Sequence, residues 1–354
     1  MGELKMAKKA AEKSAKELSE MLLNPRKNGF FKVTDEKIEK ADKFCEGYKA
    51  FLNSAKTERE SVEYAVAAAE KHGFVPFDPK HKYAAGDKVY YNNRGKAICL
   101  AIMGKEGCKN GVRIAAAHID NPRLDLKPIP LYESSEMAYL KTHYYGGIKK
   151  YQWTAIPLAM HGVVVKSDGT VIKVCIGEEA GDPQFTITDI LPHLGQDQAT
   201  KPLGTAFTGE DLNILIGSRP VRDEEAKDAY KLNIMRLLNE KYGIVEADLI
   251  SAEIEFVPAF KAVDIGFDRS LIGAYGHDDR VCAYAELAAI LQLDMPEKTA
   301  VCIFADKEEI GSEGVSGMQS EAFEHFMEKL CRTQNVPLTD CLAKSFCISA
   351  DVTA

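Results

Sequence analysis

Three short apolar runs in this chain each end in a histidine or a carboxylate, and that pattern narrows the fold more than any other feature. Val112-Arg113-Ile114-Ala115-Ala116-Ala117 leads into His118-Ile119-Asp120. Val301-Cys302-Ile303-Phe304-Ala305 leads to Glu308-Glu309, and Phe346-Cys347-Ile348-Ser349-Ala350 leads to Asp351. A fourth cluster, Asp278-Asp279, follows Ala274-Tyr275-Gly276 and opens a helix-like segment. The three runs read as buried strands, too short for helices and free of strict alternation. Ligands of open α/β sheets gather at the carboxyl ends of such strands. One His and several carboxylates meeting there make a hard, oxygen-rich metal site, read here as holding two ions, and the chemistry that follows is hydrolysis.

The chain has 354 residues, so two domains are the default. A net charge of −8 argues against nucleic acid or an anionic membrane as the main partner. Nine cysteines without a C-x-x-C pair read as reduced, buried thiols, with Cys99, Cys175, Cys302 and Cys347 inside strand-like runs. That usage predicts a cytoplasmic protein. The first residues lead into a Lys/Glu/Ala-rich helix, so neither a signal peptide nor a membrane span is expected.

Residues 1–73 read as helices, with Tyr48, Phe51 and Leu52 and then Val62, Ala65 and Ala69 at helical spacing. Asn92-Asn93-Arg94-Gly95 between two apolar runs signals a hairpin. After Pro128-Ile129-Pro130 the character turns to short β-branched runs and turn clusters, with one amphipathic helix expected near 223–242. The α/β pattern resumes near 260: helices over 279–293 and 320–332, strands over 299–305 and 345–350. The expected organisation is an α/β catalytic domain (1–130 and 259–354) interrupted by a β-rich domain (131–258).

Each cluster has a plain alternative. An isolated H-x-D is usually a polar turn closing a strand, although alternate residues of an extended segment share a face, which lets Asp120 orient a ligating His118. Asp278-Asp279 also suits a helix N-cap, at about 1 kcal/mol, yet adjacent carboxylates repel unless a cation offsets them. Glu308-Glu309-Ile310-Gly311-Ser312 is the most specific signal: neighbouring glutamates point apart, so one binds metal while the other serves as base. Asp351 alone is weak. Among the other histidines, His72, His81 and His325 read as surface groups, and His143 and His161 as core or interface residues. His277 is a candidate lining residue, and His193 a turn residue with a chance of reaching a site across a subunit boundary.

These residues resemble the M18 family of metalloaminopeptidases, the aspartyl aminopeptidase and vacuolar aminopeptidase I group. The resemblance runs from Phe51-Leu52-Asn53-Ser54-Ala55 and Gly73-Phe74 through Ala117-His118-Ile119-Asp120-Asn121-Pro122, Tyr145-Gly146-Gly147, Asp278-Asp279 and Glu308-Glu309-Ile310-Gly311-Ser312 to Ser349-Ala350-Asp351. It implies that His118 and Asp351 ligate one metal, Asp278 bridges two, Glu309 ligates the second, Glu308 is the general base and Asp120 orients His118. It also implies a phosphorylase/hydrolase-like α/β domain with an inserted β-rich dimerisation domain, assembled as a tetrahedral dodecamer. The implied cofactors are two divalent ions, zinc first, with cobalt or manganese as alternatives. The implied substrates are short peptides.

Two departures stand out. The family's second metal also takes a His near the C-terminus, whereas this sequence stops just past the fourth cluster, so the expectation is a chain truncated there. The aspartyl branch follows its Tyr-Gly-Gly with a Trp and an Asp-Arg-Asp element, where this sequence has Gln152-Trp153-Thr154-Ala155-Ile156-Pro157-Leu158, leaving the N-terminal residue preference open. The resulting reading is a dinuclear metalloaminopeptidase. Its rivals are a dinuclear deacylase or carboxypeptidase, and a noncatalytic assembly or cargo-binding protein with a vestigial site.

Overall fold

The computed structural model describes residues 14–24 and 28–353, and the helix expected over the first residues lies outside them. The chain divides into two compact units, Met1–Gly47 and Tyr48–Ala354. In the first, helix Ala15–Leu22 is closed by a capping box in which Ser14 Oγ accepts from Glu17 N and the Glu17 carboxylate accepts from Ser14 N. Helix Asp35–Ser54 ends in the second unit, where Tyr48, Phe51 and Leu52 are buried.

The second unit contains two large sheets. The first is six-stranded and mixed, in the order Val75–Pro76, Lys88–Asn93, Ala97–Ile102, Ala300–Ala305, Arg113–His118, Phe346–Ser349. The last three strands run parallel. The expected hairpin joins Lys88–Asn93 to Ala97–Ile102, and Arg94 and Gly95 both take positive φ as a tight two-residue turn requires. Successive side chains of a strand face opposite ways, so this sheet feeds two cores. Cys302 and Phe304 pack with Ala117, Leu100 and helices Glu58–Lys71 and His277–Leu291. Val301 and Ile303 pack on the other face with Val89, Ala101 and helix Ala322–Arg332 through Phe326, Met327 and Leu330.

Strand Phe346–Ser349 departs from the expected buried strand. It pairs on one side only, and Phe346 and Ile348 are each 57 % exposed, because no described element covers them. Cys347 and Cys175 are exposed, against expectation, each on an edge strand of its sheet, whereas Cys99 and Cys302 are buried as expected.

The second sheet is antiparallel, in the order Val171–Ile176, Leu158–Val165, Glu253–Pro258, Arg123–Ser134, Met137–Tyr145, Ile214–Gly217. Leu124, Leu140, Met160, Ile254 and Phe256 form its core. The amphipathic helix spans Ala229–Tyr242, starting later than 223, because a turn closes from Ala226 N to Asp223 O and Asp228 adopts a left-handed φ of 51°. Ile234, Met235 and Tyr242 pack on the sheet, while Leu237 is 47 % exposed. Among the described residues no helix is long and apolar enough to cross a membrane.

Candidate metal centre at the strand ends

Register brings the predicted residues to one edge. Ala305 lies opposite His118, and Ser349 opposite Ala116, so two steps further along their parallel strands His118 and Asp351 emerge at the same level. Helix His277–Leu291 begins at that edge, with Leu287 and Ile290 anchoring it in the core beneath.

His118 is the centre of the arrangement and is buried. Its Nε2 faces three carboxylates from three elements: Asp278 Oδ1 at 3.1 Å, Glu308 Oε2 at 3.7 Å and Asp351 Oδ1 at 3.9 Å. Donor atoms of His118, Asp278 and Asp351 all lie within 4.8 Å of one another. On the far side of the ring, Nδ1 sits 3.0 Å from the Asp120 carbonyl and 3.3 Å from Asp120 Oδ1.

Asp120 is completely buried and gathers the rest. Its Oδ1 accepts from Glu308 N at 3.1 Å, and its Oδ2 accepts from Glu309 N at 3.2 Å and from the Tyr145 hydroxyl at 2.7 Å. Glu308 and Glu309 lie on the short turn Glu308–Ile310 and, as expected of neighbours, diverge: Glu308 stands beside His118, while Glu309 lies against Gly146. Glu309 does not join the group formed by His118, Asp278 and Asp351.

Asp278 and Asp279 are joined by a cis peptide, and neither has helical backbone angles. The Asn121 side-chain amide donates to the Asp278 carbonyl. Asp279 is not the N-cap that sequence alone allows: it is fully buried, and neither of its carboxylate oxygens has a hydrogen-bond partner. Gly276 takes the cap position instead.

The electrostatics are those of crowded negative charge. Burial opposes protonation of His118, but Asp120 outweighs it, with Glu308 and Asp279 behind, and lifts the imidazole to about 9. Burial raises Asp278, and Asp351 adds to the rise against the pull of His118. Burial, then the Asp278 charge, pushes Glu309 up to about 7. Asp120 goes the other way: burial would raise it, yet its bonds to His118 and Tyr145 hold it below the usual carboxylate range. Among the described residues no Lys or Arg pairs with Asp278, Glu308, Glu309 or Asp351. An imidazole nitrogen ringed by unpaired carboxylates is a donor set suited to a divalent cation such as zinc.

The remaining histidines sort plainly. His277 is held by Tyr48 Oη at 2.9 Å and the Ile272 carbonyl at 3.1 Å. His161 is buried between Glu60 and Glu178. His72, His81, His143, His193 and His325 are exposed. Sequence reading missed the parts played by Tyr145 and Asn121, whose only signal was their presence in the quoted motifs.

Residues 51–354 match the family described as aminopeptidase I zinc metalloprotease (M18). A "probable M18 family aminopeptidase 1" of Clostridium acetobutylicum is 48 % identical over 341 residues, covering 94 % of this chain and 73 % of the relative. The corresponding protein of Thermotoga maritima is 45 % identical over 323 residues, 90 % of this chain and 70 % of its own length. The crystal structure of an M18 family aminopeptidase from Thermotoga maritima superimposes with a TM-score of 0.87 at 44 % identity, covering 94 % of this chain and 73 % of that one. The Saccharomyces cerevisiae mApe1 dodecamer shares the fold, with a TM-score of 0.68 at 21 % identity over 87 % of this chain and 71 % of that one. This chain belongs to the M18 family of zinc metalloaminopeptidases, which are peptide hydrolases.

Proposed function

We propose that this M18 aminopeptidase works with two zinc ions, His118 and Asp351 holding one, Asp278 bridging, Glu309 holding the other, and Glu308 acting as general base. The observation that carries this reading is His118 Nε2 facing Asp278, Glu308 and Asp351 within 3.9 Å, with no Lys or Arg among the described residues to pair them. When bound, zinc supplies Lewis-acid chemistry, polarising the scissile carbonyl and acidifying water. Asp120 takes the Nδ1 side of the imidazole, so Nε2 is the nitrogen that would be free to hold zinc. Glu308, half-exposed at the edge of the cluster, takes a proton from the attacking water and passes it to the leaving amine. The free amine of the substrate pairs with the neighbouring carboxylates.

Residues 131–258 are, in this proposal, an inserted domain that covers the site and builds a homo-oligomer, a dodecamer as in the yeast neighbour. Exposed Ile190, Leu191, Leu194 and Leu203 on one segment of it support an assembly surface. An enclosed site admits short peptides and excludes folded proteins.

The test is hydrolysis of a panel of aminoacyl-anilides by zinc-loaded and chelator-treated protein. The proposal expects cleavage that chelator abolishes and added zinc restores. Cleavage confined to N-acylated or C-terminal substrates would replace it with a deacylase or carboxypeptidase, and no cleavage at all with a noncatalytic protein. Light scattering that finds a fully active monomer would remove the assembly role of residues 131–258.

A further inference from the structure

Asp120 receives four donors, and three belong to residues that carry the chemistry: His118 Nδ1, Glu308 N and Glu309 N. The fourth comes from the other sheet. Tyr145, the last residue of strand Met137–Tyr145, donates its hydroxyl to Asp120 Oδ2 at 2.7 Å, and that bond is buried. We infer that Tyr145 is a positioning residue for the reaction, fixing the Asp120 carboxylate so that one group sets the ring of His118 and the backbone of both glutamates together. The inference rests on the metal-centre reading given above.

The surroundings of Tyr145 suit an anchor better than a bystander. The Arg123 guanidinium lies over its ring, 3.8 Å from the centroid. That guanidinium is itself tied to Asp125 at 2.8 Å, Glu255 at 3.2 Å and Glu58 at 3.5 Å. The ring therefore has a fixed plane, and its hydroxyl a fixed direction. The next residue extends the contact. Gly146 has φ +73°, and a Cβ there would stand 3.0 Å from Glu309 Oε2 and 3.2 Å from Glu309 Cβ. The end of this strand thus touches the centre twice, at Asp120 and at Glu309. Without the hydroxyl, Asp120 keeps its three other donors but loses the one that comes from outside the groups it orients. Outer partners of a metal ligand commonly change metal affinity or activity by about 10–100-fold.

A double-mutant cycle tests this, using Tyr145→Phe, Asp120→Asn and the pair in the full chain. Each protein is measured for zinc affinity by chelator competition, and for kcat and KM separately at saturating zinc. Tyr145→Phe keeps the ring beneath Arg123, so we expect a folded protein with zinc affinity or kcat lowered by about 10-fold and KM little changed. In the Asp120→Asn background the same change should add nothing, since the group it acts through is already altered. Wild-type zinc affinity and kcat in Tyr145→Phe, or a full independent factor on top of Asp120→Asn, would overturn the inference. Asp120→Asn indistinguishable from wild type would instead overturn the metal-centre reading, and Tyr145 would fall with it. If the double variant does not fold, Tyr90→Phe serves as the control, removing a hydroxyl bonded to Glu70 from an equally buried ring. An equal loss in Tyr90→Phe and Tyr145→Phe would then count against a specific role.

Discussion

Two groups of charge lie on either side of Tyr145, one buried and one half-exposed around a buried imidazole, and they differ in how charge is balanced. At the sheet junction, Glu58 is completely buried yet pairs with Lys96 at 3.0 Å and Arg123 at 3.5 Å. Arg123 also holds Asp125 and Glu255, while Arg59 and Lys96 reach Glu253. Burial raises Glu255 well above the ordinary range and so favours a proton on it, and burial pulls against Glu58, where Arg123 and Lys96 win and keep it ionised. Negative and positive groups are matched there. At the strand ends, by contrast, Asp278, Glu308 and Asp351 crowd one imidazole, with no Lys or Arg partner among the described residues. A buried ion cluster that completes itself is architecture, whereas half-exposed carboxylates of one sign around a buried imidazole form a donor set that suits a cation.

The contrast breaks most visibly by removing one charge from each cluster. Glu308→Gln should lower kcat by about 10²–10⁴-fold, the usual worth of a positioned proton-transfer group, while zinc content stays at the wild-type level. It should not lower the melting temperature of the zinc-free protein, because it relieves repulsion at the cluster. Elemental analysis, steady-state kinetics and thermal unfolding on one preparation check all three. Turnover near wild type with full zinc would exclude Glu308 as base.

Arg123→Met should do the reverse. Truncating one partner of a buried ion cluster typically costs about 3–5 kcal/mol, since Glu58 keeps only Lys96 and Asp125 loses its guanidinium partner. Denaturant titration of the zinc-free protein reads that loss directly. A change under about 1 kcal/mol, as surface pairs give, would show that the junction is not the self-balanced cluster described. Loss of activity should follow only in proportion to what Tyr145 loses with it.

How much of this was legible beforehand depended on whether a residue's neighbours are near in sequence. The strand ends were readable: His118, Glu308 and Asp351 follow apolar runs, and parallel register carries such ends to one edge. The hairpin at Arg94-Gly95 was readable because turn chemistry is local. Phe346–Ser349 was misread as buried, since an apolar run looks the same at an edge as in the middle of a sheet. Asp279 was given an N-cap alternative because propensity knows nothing of the non-helical angles at Asp278 and Asp279. Tyr145 and Arg123 could not have been assigned from sequence. Tyr145 meets Asp120 across 25 positions, and Arg123 meets Glu58 across four strands of the first sheet.

The smallest expected effect is on pH-dependent stability, and it concerns the second junction of the same kind, around His161. This imidazole is 3 % exposed and lies 2.8 Å from Glu60 Oε1 and 3.1 Å from Glu178 Oε1. Cys175 Sγ is 3.9 Å away, Lys56 and Lys261 pair with Glu178, and Lys173 acts on Glu60 from outside. Burial alone would lower the His161 pKa, but Cys175, Glu178 and Glu60 together raise it to about 11. An unfolded histidine titrates near about 6.5. The fold therefore favours the protonated ring, and its contribution is complete below about pH 6.5 and is lost as pH rises toward 11. Burial lowers Lys56, with Glu178 opposing, so the neighbouring amine does not reproduce this profile. Replacing His161 by Gln should cost more stability at about pH 6 than at about pH 9, as measured by the denaturant midpoint of zinc-free protein against wild type. A gap of equal size at both pH values would mean that His161 stabilises the junction by packing alone.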